Sequence, residues 1–247
     1  MNMELVSRFR AIDLDSLDRV KLMERMDQKF LVPLKQLAEI FLAIERQYYV
    51  LEINKERILR YQTHYFDTKD DSLYTSHHNG KLNRYKVRKR TYLDTHTSFF
   101  EIKFKNNKRK TFKHRIKSDE GQTILNVREK EFVLQNSPID PDDLHSKSMN
   151  QFRRITLTDK KLTERCTIDI GLQFKSKHQT TLLDSLAIIE IKQDRHGQSS
   201  ALNHYLSESK ISPIGFSKYC IGRALGEEDL KSNAFKAKIR LLNKLTD

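Results

Sequence analysis

Three short stretches that alternate charged and uncharged residues constrain this chain more than any other feature. They are YKVRKRTY at residues 85–92, FEIKFK at 100–105 and TFKHRI at 111–116. A strand sends successive side chains to opposite faces. With that period Arg84, Lys86, Arg88 and Arg90 share one face, while Tyr85, Val87 and Thr91 lie mostly on the other. Glu101, Lys103 and Lys105 likewise oppose Phe100, Ile102 and Phe104, and Lys113 and Arg115 oppose Phe112 and Ile116. Two arrangements satisfy such strands. One is an ordinary antiparallel sheet with its charged side in water. The other is a closed or strongly curved sheet, apolar face outward beneath helices and basic face lining a cavity.

The same alternation recurs along the chain. Residues 24–32 place Arg25, Asp27 and Lys29 on one parity, and residues 150–158 do so for Phe152, Arg154 and Thr156. In residues 163–174, Arg165, Thr167 and Asp169 stand opposite Cys166, Ile168 and Ile170. In residues 186–194, Glu190 and Lys192 stand opposite Ile189 and Ile191. Residues 58–67 add a strand rich in aromatic and β-branched residues. This recurrence favours the second arrangement: an α+β fold in which an antiparallel β-barrel forms a tunnel with surrounding helices. Many unpaired Lys and Arg side chains in a dry lumen would be costly, so the tunnel must be wet or filled by an anion.

Helical periodicity supplies the cover. Pro33 suits a first helical turn, followed by the stripe Leu37, Ile40, Phe41 and Ile44 and an end near residues 47–50. Shorter helices are expected at 72–78, 199–207 and 215–225, and a last one at about 231–245 burying Ala234, Ala237, Leu241 and Leu245. Residues 121–134 fit neither period. The chain reads as one domain over 1–247, with a core of approximately 20–226.

Lys plus Arg number 46 against 33 Asp plus Glu, a formal net charge of +13, so an anionic partner is expected. Cys166 and Cys220 are too few for a disulfide scaffold, and the histidines show no zinc spacing. There is no Walker-type glycine-rich run and no GxGxxG segment, which disfavours those ATP-binding folds. Specific nucleic-acid binding is not expected, because the aromatics lie largely on apolar strand faces. Tyr85, Tyr92 and Phe152 are the exceptions. No leading apolar segment suggests secretion and no run approaches a spanning helix, so a soluble cytoplasmic chain is expected. Any membrane association would depend on surface charge or a membrane-protein partner.

The alternating positions nominate a phosphate shell of Arg25, Lys29, Arg88, Arg90, Lys103, Lys113, Arg115, Arg154, Arg165, Lys192 and Lys218. Guanidinium groups grip two phosphate oxygens at once, and lysines act as mobile point charges. Distributed cations suit a linear ligand charged at every repeat and stabilise a transferring phosphoryl group. Glu190 is the favoured carboxylate for Mg2+ or Mn2+, with Asp27, Glu101 and Asp169 on other charged faces; the rival role of each is to neutralise a neighbouring cation.

At these residues the chain resembles the polyphosphate-polymerase domain of the vacuolar transporter chaperone (VTC) family, within the CYTH-like triphosphate-tunnel superfamily. The resemblance runs from about residue 25 to 225 and rests on the ordered motifs RMDQKF, HYFDT, YKVRKRTY, EIK, KHR, FRR, ERCTID, IEIK and FSKYC. It implies a tunnel barrel that binds ATP or polyphosphate with a divalent ion, Mn2+ or Mg2+. The polymerase branch transfers the terminal phosphoryl of ATP to a growing phosphate chain and releases ADP, whereas related proteins hydrolyse triphosphates or cyclise a nucleotide. The family pattern carries over to Lys29, Arg88, Arg90, Lys103, Lys113, Arg115, Arg154, Arg165, Glu190 and Lys218. Glu190 matches the metal-binding carboxylate, and the pair Ser217–Lys218 matches the phosphate-binding end of the tunnel. Arg88, Arg90, Lys103, Arg154 and Lys218 are thereby the expected catalytic set. One departure is Arg25, which stands where triphosphatases carry an acidic residue; this favours polymerisation. Hydrolysis of inorganic or nucleoside triphosphate, and a non-catalytic polyphosphate-binding subunit, are the alternatives.

Overall fold

The computed structural model describes residues 4–18, 25–108, 110–177, 179–194 and 199–246, with the backbone alone at Arg25. The proposed phosphate contact by the Arg25 side chain, and the start of that strand at residue 24, therefore lie outside the described residues.

Among the described residues ten strands make one sheet. In chain order they are β1 (Arg10–Ile12), β2 (Arg25–Pro33), β3 (Tyr48–Leu51), β4 (Leu59–Asp67), β5 (Arg84–Tyr92), β6 (Thr97–Lys105), β7 (Thr111–Ser118), β8 (His145–Asp159), β9 (Glu164–Lys175) and β10 (Thr180–Asp194). The helices are α1 (Glu4–Ser7), α2 (Leu14–Asp18), α3 (Leu37–Ile44), α4 (Ser72–His78), α5 (Val127–Asn136), α6 (Ala201–Glu208), α7 (Lys218–Gly226) and α8 (Lys236–Thr246).

The spatial order is β2-β10-β9-β8-β4-β5-β6-β7, with β3 also on β8 and β1 parallel to β3. The path ends at β2 on one side and β7 on the other, and no pairing joins these two strands among the described residues. The sheet is therefore open, and the closed β-barrel expected from the sequence is overturned. Alternation reports that each strand has two unlike faces. Closure depends on whether two distant edges pair, which no local pattern carries. β7 bears Lys113, Arg115 and Lys117 on an exposed edge, the kind of charge that keeps an edge strand unpaired.

Two apolar clusters back the outer face. Phe30, Val32, Ile155, Ile168, Ile189 and Ile191 lie beneath Leu37, Ile40 and Phe41 of α3 and Leu202 and Leu206 of α6. Farther along the sheet, Val87, Phe100 and Ile102 lie beneath Val133 of α5. That helix occupies the stretch whose periodicity was ambiguous. Its start is set locally by a capping box, with the Asn126 side chain accepting from the Glu129 amide and Glu129 answering to the Asn126 amide.

The opposite face is not charged throughout. Tyr61, Tyr65, Phe152, Phe174 and Ile188 form a third cluster with Phe216, Tyr219 and Ile221 around α7 and with Leu242 of α8. Gly171, at φ +57, sits where β9 carries an extra residue against β8. Such a bulge resets the side-chain parity, and it allows Asp169 and Phe174 to share this face. α7 crosses Phe174 so closely that a Cβ at Gly222 would fall 2.5 Å from the ring. Gly222→Ala is expected to push α7 outward and destabilise the fold by about 1–3 kcal/mol, the usual cost of overpacking. Chemical denaturation with unchanged midpoint would refute that contact.

Several local boundaries differ from the periodic reading. Pro33 both closes β2 and caps a 3-10 turn, Leu34–Gln36, that runs into α3; α3 ends at Ile44, so residues 48–51 form β3. In the last helix Leu242 is buried whereas Leu241 is 36% exposed, a rotation of one residue from the expected stripe.

Candidate anion-binding face

Pairing places the alternating charges in rows that cross strands. Lys86, Lys103 and Lys113 are in register across β5, β6 and β7, and Arg88, Glu101 and Arg115 form the adjacent row. On the far strands Lys29 pairs with Glu190, and Asp27 with Lys192. Paired residues of antiparallel strands share a face, so these rows occupy the side that α7 also packs against. The charged face is concave enough that the Lys86 ammonium on β5 feels Lys29 on the edge strand β2 as well as Arg88 on its own strand.

Glu101, Asp169 and Glu190 on this face are each held by cations. Arg88 donates Nε to Glu101 at 2.6 Å, and Lys113 grips the other oxygen of the same carboxylate. Burial opposes ionisation of Glu101, but Arg88, Arg90 and Lys113 overcome it and hold the carboxyl at about 2. Arg154 takes Asp169 in a fork at 2.6 and 2.8 Å, and Lys218 reaches the second oxygen. Asp169 also sits at about 2, burial again being outweighed by Arg154 and Lys218. Glu190 lies 3.3 Å from Lys29 and 3.0 Å from Lys192, and these cations, with Arg154, keep it ionised against burial.

Other cations have no such partner. Arg90 is buried, donates to Thr63 Oγ1 at 3.2 Å, and pairs with no carboxylate among the described residues. Its guanidinium lies 5.9 Å from the Phe152 ring centre, where Arg154 at 5.2 Å and Lys218 at 4.6 Å also converge. Phe152 thus forms an aromatic floor beneath three cations, an arrangement its electron-rich face favours. Lys103 pairs with no carboxylate among the described residues either. Arg88 and burial, then Arg90 and Lys86, lower its ammonium to about 6. The excess of positive charge registers on Tyr65. Burial alone would raise the phenol, yet Arg88, Lys86, Arg90 and Lys218 hold it below its ordinary value.

The structure therefore brings together Lys29, Arg88, Arg90, Lys103, Lys113, Arg154, Lys192, Ser217, Lys218 and Glu190. It does not gather every nominated cation. Arg165 turns to the carbonyl of Leu17 and the carboxylate of Asp18, at 2.9 and 3.1 Å. Arg115 is exposed on the edge strand and lies over Phe99 at 4.6 Å. Lys86 was missed as a site residue although it has the parity of Arg88 and Arg90. It donates to Ser217 Oγ at 3.0 Å, where α7 meets the charged face.

The donor set admits a divalent ion in one form only. Among the described residues no three His, Cys, Asp or Glu side chains gather into a metal cage. Magnesium-like ions commonly use one or two carboxylates together with substrate phosphates and water; Glu190 is the candidate for that smaller role, and its contacts here are with the cations Lys29 and Lys192. Two open depressions of about 360 and 380 Å³, around Tyr49 and around Leu125, lie off the charged face and lack its density of cations. Among the described residues no helix is long and apolar enough to cross a membrane.

No curated protein matches the chain. Among solved structures it is similar to a candidate adenylyl cyclase from Hippeastrum, described as having a dominant triphosphatase activity, at 14% identity. The match covers 83% of this chain and 97% of that one, with a TM-score of 0.51. A candidate adenylate cyclase from Vibrio parahaemolyticus is similar at 10% identity, over 81% of this chain and 99% of that one, with a TM-score of 0.46. The VTC-domain family model matches residues 24–226. With its large antiparallel sheet, alternating charged face and matched span, the chain belongs to the VTC-domain family and has a CYTH-like architecture.

Proposed function

We propose that this chain is a triphosphate-processing enzyme that binds a linear tri- or polyphosphate along its charged face and cleaves the terminal phosphoanhydride. The convergence of Arg90, Arg154 and Lys218 above Phe152, next to Arg88 and Lys103, carries this reading. Phosphoryl transfer requires positioning and charge stabilisation more than covalent help from the protein. Arg88, Arg90 and Arg154 would hold phosphate oxygens in forked contacts, and Lys103 and Lys218 would meet charge that develops as the anhydride breaks. Glu190 would hold a divalent ion, Mn2+ or Mg2+, against the phosphate oxygens; the ion when bound supplies Lewis-acid charge.

Water as acceptor gives orthophosphate, the reaction closest to the description of the Hippeastrum protein. A second reading has the end of a phosphate chain as acceptor, so that ATP extends polyphosphate and releases ADP. The width of the cationic face favours it, since the rows run from Lys113 on one edge strand to Lys29 on the other. That acceptor is already ionised near neutral pH and needs no protein base. Incubation of the purified chain with ATP and Mn2+, followed by separation of soluble products by length, decides between them. Orthophosphate without longer products supports hydrolysis, and ADP with long chains supports polymerisation. Binding without either product overturns both.

Glu190→Gln removes the carboxylate charge while leaving the size of the side chain. Metal-dependent turnover is expected to fall about 100-fold, the upper range for loss of a metal-tuning group. Tripolyphosphate affinity should change little by comparison. Equal turnover in the two proteins, measured with saturating Mn2+, would remove Glu190 from the mechanism.

A further inference from the structure

We propose that Tyr219 and Arg223 are positioning residues, which with Asp67 and Asp71 latch α7 to the end of β4 and so hold Ser217 and Lys218 in the charged face. The inference rests on the reading of that face as a phosphate site. Asp67 ends β4 and is fully buried. Its oxygens accept from the amides of Thr68, Leu73 and Tyr74, each at 2.8 Å, at the start of α4. A further donor comes from far along the chain: the Tyr219 hydroxyl on α7.

Arg223, one turn later on α7, completes the attachment. Its two terminal nitrogens meet the two oxygens of Asp71 at 2.7 and 3.1 Å, and its Nε donates to Glu227 at 2.7 Å. One of the same nitrogens donates to the Tyr219 hydroxyl at 3.2 Å, and Lys147 of β8 supports Asp71 at 3.0 Å. Asp67, Tyr219, Arg223 and Asp71 thus form one continuous network between α4 and α7.

This network does more than fill the core. Burial of Tyr219, Cys220 and Ile221 already favours docking of α7, but apolar burial is non-directional. Hydrogen bonds weaken steeply when misaligned, so the network fixes the rotation of a short helix that burial alone leaves loose. Lys218 and Ser217 immediately precede Tyr219. A small rotation carries the Lys218 ammonium away from Asp169 and Phe152, and Ser217 away from Lys86.

Titration calorimetry with sodium tripolyphosphate tests the latch in the full chain, using Tyr219→Phe, Asp71→Asn, Lys218→Met and the Tyr219→Phe/Lys218→Met double variant. Tyr219→Phe is expected to weaken binding about tenfold, within the range of positioning changes. Asp71→Asn, which is less buried and keeps a side chain suited to that φ of +59, should weaken it about threefold and decides the matter if Tyr219→Phe does not fold. The double variant should weaken binding by clearly less than the two single changes combined, because contacts that act through one group are not additive. Ile155→Val, on the outer face, should lower the melting temperature and leave affinity unchanged. If the unaltered chain binds tripolyphosphate and Tyr219→Phe binds it equally, or if the double variant is additive, the latch is overturned and the phosphate face stands. If the unaltered chain binds no tripolyphosphate, the phosphate face falls and the latch with it.

Discussion

Arg90→Met is expected to cut turnover of a triphosphate substrate by about 10²- to 10³-fold, as loss of one preorganised transition-state contact does elsewhere, without lowering the melting temperature. The two halves of this result have separate causes. Arg90 faces Arg88 and Arg154 and pairs with no carboxylate among the described residues; burial and these neighbours disfavour its charged form more than Glu101 supports it. An uncompensated buried charge costs several kcal/mol. Its ring contacts with Tyr61 and Phe152 return about 0.5–2 kcal/mol. Methionine keeps most of the side chain's volume and removes the charge, so the empty protein becomes no less stable while the anion loses a forked partner. Arg88 does not offer this separation, because its removal takes away one of the two cations paired with the buried Glu101. Paired measurements of kcat and thermal unfolding check the expectation. A large loss of stability with intact turnover would show that Arg90 serves the fold.

The second large effect concerns protons. Lys103 stands between Lys86 and Lys113 in one row and feels Arg88, Arg90 and Lys86 from β5, with Glu101 opposing them. In the empty protein it therefore releases its proton at about 6 instead of 10.5. Between these values the unfolded chain binds a proton that the folded chain does not, so this group makes stability rise with pH across that window. Its destabilising influence is greatest below pH 6. A phosphate anion placed beside Lys103 favours the charged form and restores the proton. Tripolyphosphate binding at pH 8 is thus expected to take up close to one proton at Lys103, and affinity should weaken by up to about tenfold per pH unit above 6. Calorimetry in two buffers of different ionisation heat measures the uptake. Lys103→Met provides the correction for the ligand's own protons, and equal uptake by both proteins would sink the coupling.

Much of the charged face was legible in the sequence. Arg88, Arg90, Lys103, Arg154, Lys192 and Glu190 fall on one side of their strands because the two-residue period of β-structure is written into local alternation. The short helix at residues 72–78 and the charged faces needed no long-range information either. What stayed hidden was non-local. The partnership of Glu101 with Arg88 and Lys113 depends on register across three strands. The docking of α7 on the charged face depends on Gly222 meeting Phe174 and on Tyr219 meeting Asp67, contacts between distant segments. Residues 48–51 read as the tail of a helix because Tyr48, Val50 and Leu51 are buried without the alternation of a half-exposed strand. Lys86 was within reach: the rule that selected Arg88 and Arg90 selects it equally.

Among the described residues β2 and β7 do not pair with each other, and this bears on how a polymer would be handled. A closed ring admits a chain only by threading an end, and holds it until that end slips out. An open groove lets an internal segment settle sideways and leave the same way. With polyphosphate as substrate, this geometry implies frequent release between reaction cycles, hence low processivity and a broad spread of product lengths.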